Sequence, residues 1–235
     1  MLLKIKNIDV AYDDYQVIWD ISLNVKEGEI VALLGPNGSG KSTILNSISG
    51  LIKIKKGEID FNNIPIHKYE TYQRVGVGIS HVLERRRVFP YLTVLQNLLL
   101  GAYHDKAKMQ RQVSLQDVYT FFPKLKDRSS QIANTMSGGE QQMLAIGRGL
   151  MGMPKLLMVD EPFLGLAPLV IEDLKLIFKK IAERGIAILF VEQNVRLALS
   201  MANRGYILES GRLVIDGASK DLVDSKEVKR VFLGS

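Results

Sequence analysis

The chain has no cysteine, and its seven prolines are scattered rather than clustered. Without cysteine, disulfide scaffolds and thiolate-held metals are excluded, and a reducing compartment is compatible. No apolar run approaches the roughly 20 residues that a helix needs to cross a bilayer, so any membrane role has to come through a partner. The opening MLLKIKNIDV carries Lys4, Lys6 and Asp9 where a secretory leader needs an unbroken apolar stretch. Low-complexity tracts and internal repeats are missing as well, and disorder is expected only at the last few residues. What remains is 235 residues with 46% hydrophobic and 24% charged side chains, enough for one globular domain with a sub-lobe. The net charge of +6 suits nucleic acid, an anionic membrane surface or, more simply, a phosphate binder with a mildly basic surface.

Along the chain, Leu3, Ile5, Ile8 and Val10, then Ile21, Leu23 and Val25, alternate with polar residues as strands do. Ile30 to Leu34 is apolar without a break, the pattern of a strand buried on both faces, and a helix is expected from Ser42 to about Leu51. Gly57 opens a further strand, Glu58 to Phe61. From about Arg85 to Leu150 the apolar spacing is mostly helical, with breaks near Pro90, Pro123 and Ser137. Leu156 to Val159 and Ile186 to Val191 read as two more buried strands. Between them Val170, Leu174, Ile177, Phe178 and Ile181 recur at helical spacing, with Gly185 placed to end the helix. Glu209-Ser210-Gly211-Arg212 marks a hairpin. Buried strands alternating with helices predict an α/β fold around a mainly parallel sheet. The expected organisation is an α/β core over 1–84 and 151–235, including an N-terminal antiparallel β lobe, and a helical subdomain over 85–150.

Gly35-Pro36-Asn37-Gly38-Ser39-Gly40-Lys41-Ser42 fits G-x-x-x-x-G-K-[ST] at every fixed position, between an expected strand and an expected helix. Glycines let backbone N–H groups converge on phosphate oxygens, and the helix that follows, with Thr43 in its first turn, adds the positive end of its dipole. Lys41 supplies a cation to the terminal phosphates, and the Ser42 hydroxyl is a hard oxygen ligand for Mg²⁺. Asp160 and Glu161 follow an apolar strand at its carboxyl end, where ligands bind in open α/β sheets. Asp160 suits the metal, directly or through water. Glu161 suits the orientation and deprotonation of an attacking water. Ser137-Gly138-Gly139 is a further small-residue turn at an expected helix start, hence a second potential anion site.

These strings together resemble the nucleotide-binding subunits of ABC transporters, over nearly the whole chain. The resemblance implies a P-loop fold that binds ATP and Mg²⁺ and hydrolyses ATP. It also implies a dimer, with Ser137, Gly138 and Gly139, the signature motif, closing on the nucleotide held by the partner. Tyr12 falls at the position that stacks on adenine, although a core strand aromatic fits its spacing equally. Glu84 falls at the Q-loop as a metal ligand, Gly165-Leu166-Ala167-Pro168 at the D-loop, and Gln193 at the switch. The strings FPYLTVLQNLLLGAY, SGGEQQMLAIGRGLM, PKLLMVDEP, LGLAP and VEQN are similar to the branched-chain amino acid importer ATPases, the second of their two ATP-binding subunits. The implied partners are a second ATP-binding subunit, two transmembrane permeases and, indirectly, an extracytoplasmic substrate-binding protein. The implied place is the cytoplasmic face of the membrane, with no nucleic acid expected.

Several residues depart from the general pattern. Gln193 stands where His is usual; its amide can donate and accept, but it cannot take a proton near neutral pH. Catalysis is therefore expected to rest on Glu161, with Gln193 as a positioner. Glu84 replaces Gln, Glu140 ends the signature, and Ala167 stands where many relatives carry Asp. Arg85, Arg86 and Arg87 balance Glu84, meet an acidic permease loop, or form a solvated face. His67, His81 and His104 lack metal-ligand spacing and read as structural or surface residues, and Trp19 as packing. The alternatives to an import motor are a soluble ABC-type ATPase acting on nucleic acid or another macromolecule, and a small-molecule kinase. Ser137-Gly138-Gly139 and Glu161 argue against the kinase.

If Lys41 supplies the cation for the phosphates, Lys41→Ala abolishes nucleotide binding in an equilibrium titration with a fluorescent ATP analogue. Retained affinity would remove the basis of the phosphate-site reading.

Overall fold

The computed structural model describes residues 1–233, so the expectation placed on the last few residues lies partly outside it. The strands are β1 (Leu3–Tyr12), β2 (Tyr15–Val25), β3 (Ile30–Leu34), β4 (Lys56–Phe61), β5 (Ile64–Pro65), β6 (Ile79–Val82), β7 (Leu156–Asp160), β8 (Ala187–Glu192), β9 (Arg204–Glu209) and β10 (Arg212–Ala218). The helices are α1 (Lys41–Ser49), α2 (Thr71–Gly76), α3 (Val94–Gly101), α4 (Asp105–Met109), α5 (Arg111–Phe121), α6 (Pro123–Asp127), α7 (Gly138–Leu150), α8 (Pro168–Glu183), α9 (Val195–Leu199), α10 (Ser219–Leu222) and α11 (Lys226–Leu233).

Two sheets result. One is antiparallel, in the order β2-β1-β4-β5, and the other runs β10-β9-β3-β8-β7-β6. In the second, β9, β3, β8, β7 and β6 are parallel, and β10 returns antiparallel to β9. Every residue of β3, β7 and β8 is buried. That explains their unbroken apolar runs, since a parallel strand covered on both faces has no wet side to alternate with.

Alternation survives as a choice between two cores. Val31 and Leu33 of β3 pack with Ile44, Leu45 and Ile48 of α1 under the antiparallel sheet. Ile30, Ala32 and Leu34 point the other way, into a core shared with Leu98, Leu144, Phe178 and Phe190. The stretch from about Arg85 to Leu150, expected to be mostly helical, carries α3 to α7 from Val94 onward, while 85–93 form no helix, and Pro123 begins α6 rather than merely breaking a helix.

Three features escaped the periodicity. β6 is a four-residue edge strand in the sheet, too short to register, and it ends two residues before Glu84. The short helices α2, α10 and α11 went unread for the same reason. Finally, β1 and β2 are longer than the alternating pattern suggested. Their ladder shifts register repeatedly between Ile5 and Ala11, and those bulges break the period of two.

The residue after Pro162, Phe163, is a packing residue. Its ring lies 6.1 Å from Phe178 and 6.1 Å from Phe190, which are themselves 6.2 Å apart. The cluster anchors the segment after the Asp160-Glu161 pair on both α8 and β8. Trp19 is likewise packing, its ring covering the Cα of Gly211 in the β9–β10 turn.

Phe178 is fully buried, so Phe178→Ala is expected to lower unfolding free energy by about 3–5 kcal/mol. Chemical denaturation measures this. A loss below about 1 kcal/mol would mean that the aromatic cluster does not hold the segment.

Candidate nucleotide site

β3 ends at Leu34 and the chain turns at once through Gly35-Pro36-Asn37-Gly38-Ser39-Gly40 into α1. Two glycines are obligatory here. Gly35 (φ 156°) leaves no room for a Cβ against the Leu208 carbonyl, and Gly40 (φ 97°) leaves none against the Ile18 side chain. Gly40 is also the N-cap of α1, and no side chain caps that helix. Its first N–H groups therefore remain for an anion, in the field of the helix dipole.

The Lys41 ammonium curls back to donate to the Gly35 and Pro36 carbonyls, 2.9 Å from each. Burial lowers its pKa, against the attraction of Glu161, Asp160 and Glu192. Ser39 is buried, and its hydroxyl has no partner. Ser42 and Thr43 complete the first turn.

The carboxyl ends of β3, β7 and β8 stand side by side, with Leu34 opposite Glu192 and Asp160 opposite Val191. This register brings the loop, the carboxylate pair and the switch together. Asn37, Gly38, Gly40, Lys41, Ser42, Thr43, Glu84, Glu161 and Gln193 all line one open cleft of about 650 Å³, together with Val17 and Leu164. Asp160 lies buried behind it. Burial raises its pKa, with the Glu161 and Glu84 charges adding, while the Ser42 hydroxyl and Lys41 pull it down. Its Oδ1 has no hydrogen-bond partner.

A buried, unpartnered carboxylate oxygen beside a serine hydroxyl is the donor chemistry that could hold a hard cation. Among the described residues, no group of three or more His, Cys, Asp or Glu could hold a metal. Mg²⁺ takes one or two protein oxygens and completes its shell with phosphates and water.

Glu161 is held in a left-handed conformation (φ 47°), its N–H donating to the Val191 carbonyl at 3.1 Å. Strain of this kind costs about 1–3 kcal/mol and tends to gather at active sites. Its Oε1 accepts from the Gln193 amide at 2.6 Å, so the amide that replaces the usual imidazole aims the carboxylate. Tyr12 lies at the end of β1, 47% exposed, with its hydroxyl 3.4 Å from the Thr43 hydroxyl. It borders the site and is no core aromatic. Ser137, Gly138 and Gly139 do not line the cleft. They form the start of α7, where Ser137 and Glu140 make a reciprocal capping box. The Glu140 carboxylate also meets Arg128 at 3.3 Å, so this departure from the pattern has a local structural task.

Sequence reasoning passed over Glu192 and Asn97. Glu192, 7% exposed, accepts from the N–H groups of Phe163 and Gln193 at 3.3 and 3.1 Å, tying the segment after Glu161 to the switch. Burial raises its pKa against those hydrogen bonds. Its signal was a lone carboxylate closing an apolar strand. Asn97, fully buried, holds the loop before α3 through Phe89, Leu92 and Thr93.

A family model described as ABC transporter matches residues 18–164, more than half of the chain. The chain belongs to that family. It is 41% identical over 233 residues to the high-affinity branched-chain amino acid transport ATP-binding protein BraG of Pseudomonas aeruginosa, covering 99% of this chain and 100% of that one. It is 32% identical to the lipopolysaccharide export system ATP-binding protein LptB of Haemophilus influenzae, covering 99% and 97%. Among solved structures, an ABC transporter cassette in its ADP conformation superposes with TM-score 0.88 at 25% identity, covering 100% of this chain and 99% of that one. A dimeric cassette in a post-hydrolysis state with ADP and phosphate superposes with TM-score 0.78 at 27% identity, covering 93% and 99%. This ABC subunit is thus a nucleotide-binding ATPase with the P-loop fold.

Gln193→Ala releases Glu161 from its 2.6 Å tether. Steady-state ATP hydrolysis is expected to fall roughly 10²-fold, the scale of a small misplacement of a reacting group. The pH–rate profile should keep its shape, since an amide carries no titratable proton; a lost limb would assign proton transfer to Gln193.

Proposed function

We propose that the chain powers an ABC importer, hydrolysing Mg-ATP to drive uptake of branched-chain or related amino acids. The observation that carries the reading is the gathering of Lys41, Ser42, Glu161 and Gln193 in one cleft that the signature residues do not reach. Such a site needs a second cassette to supply Ser137-Gly138-Gly139 from across an interface.

In this reading the Gly35–Thr43 loop and Lys41 hold the phosphates, with Tyr12 beside the base. Ser42, Asp160 and Glu84 would hold Mg²⁺, which would supply charge neutralisation to the phosphates. Glu161, aimed by Gln193, takes the proton of the attacking water as it adds to the terminal phosphate, and ADP leaves. General-base help of this kind is worth about 10²–10⁴-fold.

Residues 85–150 serve as the helical lobe that presents the signature. The lobe also borders a groove of about 330 Å³ lined by Phe89, Leu100, Tyr103 and Arg148, with Tyr91 83% exposed nearby. Apolar surface of this kind suits docking of the two permease subunits. Among the described residues, no helix is long and apolar enough to cross a membrane; in this reading the subunit sits on the cytoplasmic face because it is held there by the permeases. The cargo reading is supported by similarity to BraG, stronger at 41% than similarity to the exporter subunit at 32%, and the extracytoplasmic binding protein belongs to the same reading.

Glu161→Gln keeps the shape but not the base. It is expected to bind ATP normally, to lose hydrolysis by at least about 10²-fold, and to form a stable ATP-dependent dimer in size-exclusion chromatography. Normal hydrolysis would refute the role given to Glu161. For the cargo, the complex isolated with its permeases and reconstituted in vesicles should take up labelled leucine only with ATP inside the compartment that holds this subunit. ATP-driven export, or isolation with nucleic acid instead of permeases, would overturn the import assignment.

A further inference from the structure

Arg85, Arg86 and Arg87 follow Glu84, and the structure treats them differently. All three adopt left-handed backbone conformations, φ 62°, 64° and 46°, a run that L-residues avoid and that persists only where surroundings enforce it. Arg85 projects outward, 81% exposed, and meets Glu84 at 3.3 Å. Arg87 offers its carbonyl to the Arg148 guanidinium at 2.6 Å, and Arg148 in turn lies 5.1 Å over the Phe89 ring. These contacts hold the ends of the turn.

Arg86 alone turns inward. Its guanidinium lies on the Cα of Gly138, so close that a Cβ there would stand 2.8 Å from Nη1 and 3.0 Å from Nη2. The same Nη2 donates to the Leu164 carbonyl at 3.4 Å and passes 3.9 Å from the Cβ position of Gly165. Among the described residues, no carboxylate forms an ion pair with it. Its geometry is therefore set by backbone contacts and not by charge. A planar fork can lie flat on one backbone while donating to another; an ammonium cannot do both.

We infer that Arg86 is a positioning residue for ATP hydrolysis: its guanidinium ties the signature turn at Gly138 to the Leu164 carbonyl, three residues past Glu161, from a loop that begins at Glu84. The inference rests on the roles proposed above for Glu161 and Glu84. The three segments are distant in sequence, and Arg86 is the side chain that touches two of them from the third. A shift of the Glu84 loop is thereby passed to the segment that carries Glu161 and to the turn offered to the partner cassette. Gly138 has a second task in this arrangement, since any side chain there would displace the guanidinium.

The test uses the full-length chain. Arg86→Ala, Arg86→Lys and Arg87→Ala are compared with the parent for steady-state kcat and KM, for equilibrium affinity toward a fluorescent ATP analogue, and for melting temperature. Arg86→Ala is expected to lower kcat about tenfold or more, with nucleotide affinity within twofold and the melting temperature unchanged. Arg86→Lys keeps the charge but not the fork and should lose as much. Arg87→Ala should lose little, because its side chain makes neither contact. Full rescue by Lys, equal loss in Arg87→Ala, or parental kcat in Arg86→Ala overturns the assignment. So does a kcat loss that tracks a fall in melting temperature, since it reports stability and not positioning. Glu161→Gln measured in parallel keeps the two readings apart. If it hydrolyses ATP normally, the catalytic scheme fails first, whatever Arg86 does; if it is inactive while Arg86→Ala is fully active, only the positioning role falls.

Discussion

The parallel register of β3, β7 and β8 is the constraint on which the site depends. With Leu34 opposite Glu192 and Asp160 opposite Val191, the three strands end at one level. Each then releases its own chemistry: a glycine turn and lysine from β3, a carboxylate pair from β7, and a glutamine from β8. A slip by one residue would exchange the side chains that face the two cores, and the close packing of each core resists that exchange.

Around that edge, polar groups are placed at some cost and each has a stated occupation. The Asp160 carboxylate is buried beside Glu161 and Glu84, which raises its pKa; a divalent cation reverses the sign of that environment. Lys41, lowered by burial, rests on loop carbonyls that phosphate oxygens can replace as its partners. Glu161 sits in a strained backbone conformation with its carboxylate fixed by Gln193. Glu192 and Phe163 brace the segment from beneath, so the geometry of the outer residues rests on buried ones that touch neither phosphate nor metal.

The departures from the family pattern become intelligible as local solutions. Glu140 completes a capping box and pairs with Arg128, which a signature glutamine would satisfy only in part. Gln193 supplies a donor to Glu161, and the scheme proposed above leaves the proton chemistry to that carboxylate. Glu84 is a carboxylate in the cleft wall, and its neighbour Arg85 meets its charge at the surface.

The sequence by itself determined the phosphate loop, the carboxylate pair, the three buried strands and the helix after Pro168. Each depends on a local rule: glycine where no Cβ fits, an apolar run where both faces are covered, a period of 3.6 where one face is. β6 was invisible because four residues carry no period, and β1 and β2 were underestimated because bulges break theirs. Tertiary structure alone decided that Tyr12 borders the site and leaves the core, that Glu192 braces the switch, and that Arg86 and not its two neighbours reaches the signature turn. Those outcomes depend on which backbone lies opposite a side chain after folding, and neither spacing nor composition encodes a contact between segments so far apart in the chain.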